Sequence, residues 1–146
     1  MTTHEINELY QDIILEHNHS PLNYYKIVGP THKAKGSNPF CGDKFEVFCV
    51  INNNIITEIS FVGQGCAISK ASASIMMQII EGKDVAEALQ VFHNFHNFLL
   101  NKQNNLSILK DLKILLIFQG VKNFPLRVKC ATLAWHTFKN AIRKLK

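Results

Sequence analysis

Residues 55–80 read IITEISFVGQGCAISKASASIMMQII, and the hydrophobic period changes within them. Residues 55–62 are rich in β-branched and aromatic side chains and read as a strand. Beyond Cys66, the residues Ile68, Ala71, Ser72, Ile75, Met76, Ile79 and Ile80 recur at helical spacing on one face. Gly63-Gln64-Gly65 separates the two patterns, and Cys66 stands at the start of the helix. Glu81-Gly82 ends it.

Toward the N-terminus, residues 43–51 alternate, with Phe45, Val47, Cys49 and Ile51 on one face. Asn52-Asn53-Asn54 is a turn, so this strand and the next form an antiparallel hairpin. Residues 23–39 contain Gly29, Pro30, Gly36 and Pro39, and read as loop plus one short strand at 32–36. Ile6, Leu9, Tyr10, Ile13, Ile14 and His17 mark an amphipathic helix with Thr2 or Thr3 as its N-cap. Residues 18–21 break it. On the C-terminal side, Asp84 caps a short helix through Val91. Residues 92–105 are Asn-rich and weakly patterned, with a small echo in His93-Asn94-Phe95 and His96-Asn97-Phe98. Residues 106–118 are helical and stop at Gly120. Pro125 precedes a last helix whose face is Cys130, Leu133, Ala134, Thr137, Phe138, Ala141, Ile142 and Leu145. No linker divides the chain, and helix, strands, then helices predicts one α+β domain over residues 1–146.

The chain has 146 residues, 47% of them hydrophobic and 18% charged, which excludes a disordered tail. Its longest strongly apolar stretch, residues 114–118, is far short of the ~20 residues of a membrane-spanning helix. Residues 1–10 include Glu5 and Glu8 and lack the order of a secretory signal. The expected setting is therefore cytoplasmic and reducing, with the four cysteines as thiols or metal ligands. The net charge is +5, but only Arg127 and Arg143 are arginines and the lysines are scattered, apart from Lys139, Lys144 and Lys146 beside Arg143. No basic stripe interleaved with aromatics is present, so no nucleic-acid partner is expected.

Three segments carry chemistry. In Asn38-Pro39-Phe40-Cys41-Gly42-Asp43, Cys41 and Asp43 project to the same side of an extended chain. They are either a metal-holding pair or a turn with a buried thiol and a surface carboxylate. In Gly63-Gln64-Gly65-Cys66, a thiol meets the positive end of a helix dipole, which favours thiolate; the alternative is a small hydrophobe at a turn. In Phe124-Pro125-Leu126-Arg127-Val128-Lys129-Cys130, Arg127 and Lys129 bring positive charge to a thiol that could equally be a core residue. Together, Cys41, Asp43, Cys66 and Cys130 make four donors, the usual number for tetrahedral zinc. Three thiolates and a carboxylate on Zn²⁺ carry a formal charge of about −2, which Arg127 and Lys129 partly offset. The oxygen is the poorer partner for a soft metal and suggests an exchangeable position. Cys49 lies about 20 Å along the strand from Asp43 and reads as core. His93 and His96 are a weaker metal pair on a helical face. His17 and His19 end the first helix, and His136 points away from Cys130.

These three blocks, extended to Gly63–Ser74 and Phe124–Trp135, resemble the IscU/NifU-N superfamily of iron–sulfur cluster assembly proteins, over most of residues 9–143. The chain is most similar to the SufU branch. Scaffold-type members carry His immediately before the third cysteine, where this chain has Lys129. They also have a shorter gap between the second and third cysteines, so residues 93–120 look like the SufU-type insertion. The resemblance implies a small antiparallel three-stranded sheet with about five helices packed mainly on one face. It also implies a zinc-bound sulfur acceptor, sulfurtransferase-like, that works with a pyridoxal-phosphate cysteine desulfurase of the SufS type and with downstream Suf assembly proteins. By the same likeness Cys41, Asp43, Cys66 and Cys130 hold Zn²⁺, Cys41 accepts the persulfide sulfur, and Arg127 contacts the partner. The alternatives are a scaffold holding iron or a nascent [2Fe–2S] cluster on the same ligands, and a structural zinc module.

Overall fold

A computed structural model describes residues 2–102 and 106–143, and only the backbone of residues 106–112. The chain runs α1 (Thr3–His19), β1 (His32–Asn38), β2 (Asp43–Asn52), β3 (Ile55–Gln64), α2 (Ala67–Ile80), α3 (Val85–Leu99), a 3₁₀ segment (Leu106–Val121) and α4 (Pro125–Arg143). The three strands form an antiparallel sheet in the order β1-β2-β3. This is the α+β arrangement that the period change at residues 63–66 predicts. Among the described residues no helix is long and apolar enough to cross a membrane.

Each strand connection has a local cause. Asn52 pairs with Ile55, and the two residues between them, Asn53 and Asn54, have φ of 53° and 64°. Two successive left-handed residues make the tight hairpin turn whose twist suits paired strands, and Asn tolerates that conformation. At the other end of β2, Asn38 pairs with Asp43, so residues 39–42 form a short loop with Cys41 near its tip. Lys44 pairs with Gln64. The start of β2 therefore lies beside the end of β3, and the chain leaving β3 brings Cys66 to Asp43.

The helices bury one face of the sheet. Phe45, Val47 and Cys49 of β2 and Ile59 and Phe61 of β3 join Ile75, Met76, Ile80, Phe95, Trp135 and Phe138 in one core. α4 lies across β1 and β2, and α2 packs between α1 and α4. The close approach of α4 depends on Gly36 of β1. A Cβ there would collide with the Thr137 side chain, so a larger residue would push α4 off the strand. Buried polar groups tie the helices together. Ser72 of α2 donates to the Ala131 carbonyl of α4 at 2.5 Å and accepts from Trp135 Nε1 at 3.0 Å. Ser74 of α2 accepts the Leu22 N–H at 2.8 Å and shares a hydrogen bond with His17 Nδ1, also at 2.8 Å.

Several element bounds differ from the sequence reading, among them β3, which runs two residues past Val62 to Gln64. α1 starts on its Thr2 cap, where Thr2 Oγ1 accepts the Glu5 N–H, but it continues two residues past His17. β1 extends to Asn38. α3 does not stop at Val91: it runs through the His-Asn-Phe echo to Leu99, because Phe95, Phe98 and Leu99 are buried and their packing overrides the modest helix propensity of the intervening His and Asn. Residues 106–121 are helical, but as 3₁₀ rather than α. Of the expected insertion, residues 103–105 lie outside the described residues, as do Leu145, Lys144 and Lys146.

Candidate metal and sulfur site

The three segments meet at one end of the sheet. The β1–β2 loop supplies Cys41, the first residue of β2 supplies Asp43, and the second turn of α4 supplies Cys130. One donor atom from each lies within 4.8 Å of the others. Cys41 Sγ and Cys130 Sγ are 2.9 Å apart. Cys41 is half-buried, whereas Cys130 is 3% exposed and Asp43 is fully buried. The reading of Asp43 as a surface carboxylate is thereby removed.

Cys66 is placed by α2. It is the N-cap of that helix, and its sulfur accepts the Ser69 N–H at 3.5 Å. Its own N–H donates to Asp43 Oδ1 at 2.9 Å, and its Sγ is 4.0 Å from Asp43 Oδ2. Cys66 is not one of the three donors that all lie within 4.8 Å of one another, but it neighbours both the Asp43 carboxylate and the Cys130 thiol. Gly65 makes this fit possible. A Cβ on it would lie 2.5 Å from Ser69 Oγ and 2.6 Å from Asp43 Oδ1, so any larger residue would displace the carboxylate.

The electrostatics favour a cation. Burial pushes the Cys130 thiol far above the ordinary cysteine range, and the hydrogen bond to Cys41 and the neighbouring Cys66 and Asp43 push it the same way. All four donors are negative when ionised, so a cation among them is favoured. A buried carboxylate with two thiols against it is a donor set that suits zinc or another thiophilic divalent metal. Among the described residues, this is the cluster of three or more metal-capable side chains that the fold assembles.

The remaining expectations sort clearly. Cys49 is fully buried in the core, and burial raises its thiol pKa to about 12, which suits an inert packing residue. His93 and His96 do not assemble a metal pair: His93 Nε2 is bonded to the Asn97 amide at 3.1 Å, and His96 faces His136 with ring centroids 5.4 Å apart. Arg127 is exposed and stacks over Phe124, at 4.6 Å from the ring centroid. Lys129 is exposed and sits over Phe40, at 5.4 Å. Phe40 is 74% exposed and Phe124 48%, so two cation-covered aromatic rings flank the site in the chain. Asn38 was not foreseen from the sequence. Its side-chain Nδ2 lies 3.6 Å from Cys41 Sγ, and its side-chain Oδ1 accepts the Phe40 N–H at 3.2 Å. The Asn-Pro pair that opens the loop is the signal that points to it.

Comparison with known proteins agrees with this geometry. The family described as NifU-like N terminal domain matches residues 9–131. The chain is 35% identical over 139 residues to the zinc-dependent sulfurtransferase SufU of Bacillus subtilis, covering 95% of this chain and 92% of that one. It is 33% identical over 144 residues to the iron–sulfur cluster assembly scaffold protein IscU of Streptococcus pyogenes, covering 99% and 89%. A crystal structure from Fervidobacterium islandicum, described as a candidate iron–sulfur cluster assembly scaffold for the SUF system, superposes with a TM-score of 0.85 at 32% identity, covering 97% of this chain and all of that one. With the match spanning nearly the whole fold and the three thiol segments gathered at one place, the chain belongs to the NifU-like N-terminal domain family of iron–sulfur cluster assembly proteins.

Proposed function

We propose that this chain is a zinc-dependent sulfur acceptor that takes sulfur from a pyridoxal-phosphate cysteine desulfurase, with Cys41 as the receiving thiol. The observation that carries this is the contrast between the thiols. Cys130 is buried in a helix, while Cys41 and Cys66 are both half-exposed; of these two, Cys66 Sγ is engaged as the α2 cap by the Ser69 N–H, whereas Cys41 stands on a loop tip. A partner's persulfide can reach only a thiol that meets solvent. The reaction is an exchange: Cys41 Sγ attacks the outer sulfur of the partner's persulfide, the partner's cysteine leaves as thiolate, and Cys41 carries the persulfide.

Cys41, Asp43, Cys66 and Cys130 are the residues that would hold zinc, which when bound keeps the sulfurs as thiolates at neutral pH. Arg127, with Phe124 beneath it, and Phe40, with Lys129 above it, offer an apolar and cationic rim on which the desulfurase would dock. The likeness to the Bacillus subtilis sulfurtransferase supports the same reading.

The test is desulfurase turnover with and without this protein. Wild type is expected to speed cysteine turnover and to acquire one sulfur on Cys41, while Cys41→Ala does neither. Stimulation that survives in Cys41→Ala overturns the assignment. The likeness to proteins named as scaffolds supports a second reading, in which the same donors hold a nascent cluster. Under that reading the protein turns brown and retains iron after reconstitution, instead of purifying colourless with about one zinc.

A further inference from the structure

Cys130 Sγ stands 2.9 Å from Cys41 Sγ, and a disulfide bond is about 2.05 Å long, so the two sulfurs need to close by roughly one ångström or less. Their supports differ in freedom. Cys41 is followed by Gly42, which has φ +70° and open space where a side chain would stand. Cys130 lies within α4, and its neighbour Ala131 is tied to Ser72 of α2. The closing movement therefore belongs to the loop. Cys130 meets Cys41 from the buried side, while the solvent side of Cys41 stays free for a second sulfur atom.

We propose that in the metal-free chain Cys130 is a resolving thiol, which discharges a persulfide on Cys41 as hydrogen sulfide. The proposal rests on the sulfur-acceptor reading only for how Cys41 is loaded in the cell. Cys130 Sγ attacks Cys41 Sγ. The bond from Cys41 Sγ to the outer sulfur breaks, and its electron pair leaves with that sulfur. The Cys130 thiol proton goes to the leaving sulfur. Cys41–S–SH and Cys130–SH become Cys41–S–S–Cys130 and H₂S, with no outside oxidant or reductant. Thiol–disulfide exchange runs faster with a better leaving group, and hydrosulfide leaves more readily than an alkyl thiolate. The step is assigned to the metal-free chain, in which neither sulfur is committed to a metal and Cys130 can close on Cys41. Cys130 rather than Cys66 takes this role because Cys130 Sγ is in contact with Cys41 Sγ, whereas Cys66 Sγ is engaged by the Ser69 N–H at the α2 cap. Cys49 is fully buried in the core. The consequence is a further activity: a chain that has lost its metal returns sulfur as sulfide and closes its own acceptor.

The test uses the full chain freed of metal by a chelator, loaded with inorganic tetrasulfide and then desalted. Intact mass and peptide mapping follow the chain, and a sulfide assay follows the solution. Wild type is expected to release one sulfide for each Cys41–Cys130 disulfide formed. Cys130→Ser should keep the added sulfur on Cys41 and release sulfide about tenfold more slowly or less, and Cys49→Ala, which removes a thiol in the core outside the site, should behave as wild type. Circular dichroism checks that both variants are folded, and Cys130→Ala replaces Cys130→Ser if the serine variant is not. Discharge at the wild-type rate without Cys130, a disulfide that uses Cys66, or failure of tetrasulfide to load Cys41 overturns the proposal. Loading with desulfurase and cysteine in a parallel arm separates the two ideas. A chain that tetrasulfide loads and discharges but the desulfurase does not load refutes the sulfur-acceptor reading and leaves the resolving role standing.

Discussion

Ser72→Ala probes the strut that holds α4, and with it Cys130, against α2. Ser72 and Trp135 are fully buried. The Ser72 hydroxyl donates to the Ala131 carbonyl and accepts from the indole N–H. The Ala131 carbonyl keeps its place in the helical ladder when the hydroxyl is lost, so its cost is small. The indole N–H has no water to turn to, and a buried donor left unpaired costs about 1–3 kcal/mol. We expect a loss of about 2 kcal/mol, which for a chain of this size lowers the melting temperature by about 4–8 °C. Urea denaturation of the metal-free protein, with the slope checked for constancy, measures it. Trp135→Phe closes a double-mutant cycle, since with the donor gone the serine has less to lose. A coupling of about 1 kcal/mol or more is expected. A Ser72→Ala penalty under about 0.5 kcal/mol, typical of an uninvolved surface site, or a coupling near zero would refute the view that this hydrogen bond ties α2 to α4.

Three further outcomes follow from particular contacts. Gly65→Ala should press the Asp43 carboxylate out of place and weaken zinc binding by about 10–100-fold, as loss of a ligand's support does; competition with a chelating dye measures it. Phe40→Ala should remove an exposed ring without changing stability by more than about 0.5 kcal/mol, while stimulation of the desulfurase falls by about tenfold if the ring is a docking anchor; zinc content checks that the site is intact. Acidification should destabilise the fold through His17, whose pKa burial lowers against the opposing pull of Glu16. Burial favours the neutral ring, so the contribution of His17 is complete above the unfolded pKa of about 6.5 and is lost as pH falls below that value. His96 and His136, also lowered chiefly by burial, act in the same direction. In urea titrations His17→Gln should lose stability less steeply below about pH 6.5, by at most about 1.4 kcal/mol per pH unit for one proton.

The fold was legible where a period was clean and a breaker marked its end. Residues 55–80 show both, and the hairpin turn at Asn53-Asn54 and the helix cap at Asp84 fall where their side chains demand. Legibility failed where tertiary packing outweighed local preference. α3 continues to Leu99 because Ala88, Val91, Phe92, Phe95 and Leu99 form one buried stripe, although the residues opposite are poor helix formers. The alternation in β2 pointed to one buried face, yet Phe48 on the other face is also buried, as is Ser60 opposite it in register.

The site divides in the same way. Cys41 and Asp43 were legible as a pair from their spacing of two, although the extended chain expected between them is instead a loop that turns at Gly42 with φ 70°. That Cys130 lies against Cys41, across 89 positions of sequence, depends on α4 crossing β1 where Gly36 leaves room, and no local pattern announces that. The crossing also explains why two thiols in contact serve different ends. A loop tip with a glycine beside it lets Cys41 meet a partner, and a helix pinned by Ser72 keeps Cys130 where it is. Lys129, one residue before Cys130, is turned outward over Phe40, and its ammonium has no lone pair to offer a metal. The first turns of α4 therefore supply one donor, Cys130, and positive charge. Such a donor set suits a single thiophilic cation, which is the arrangement the proposed sulfur-acceptor role calls for.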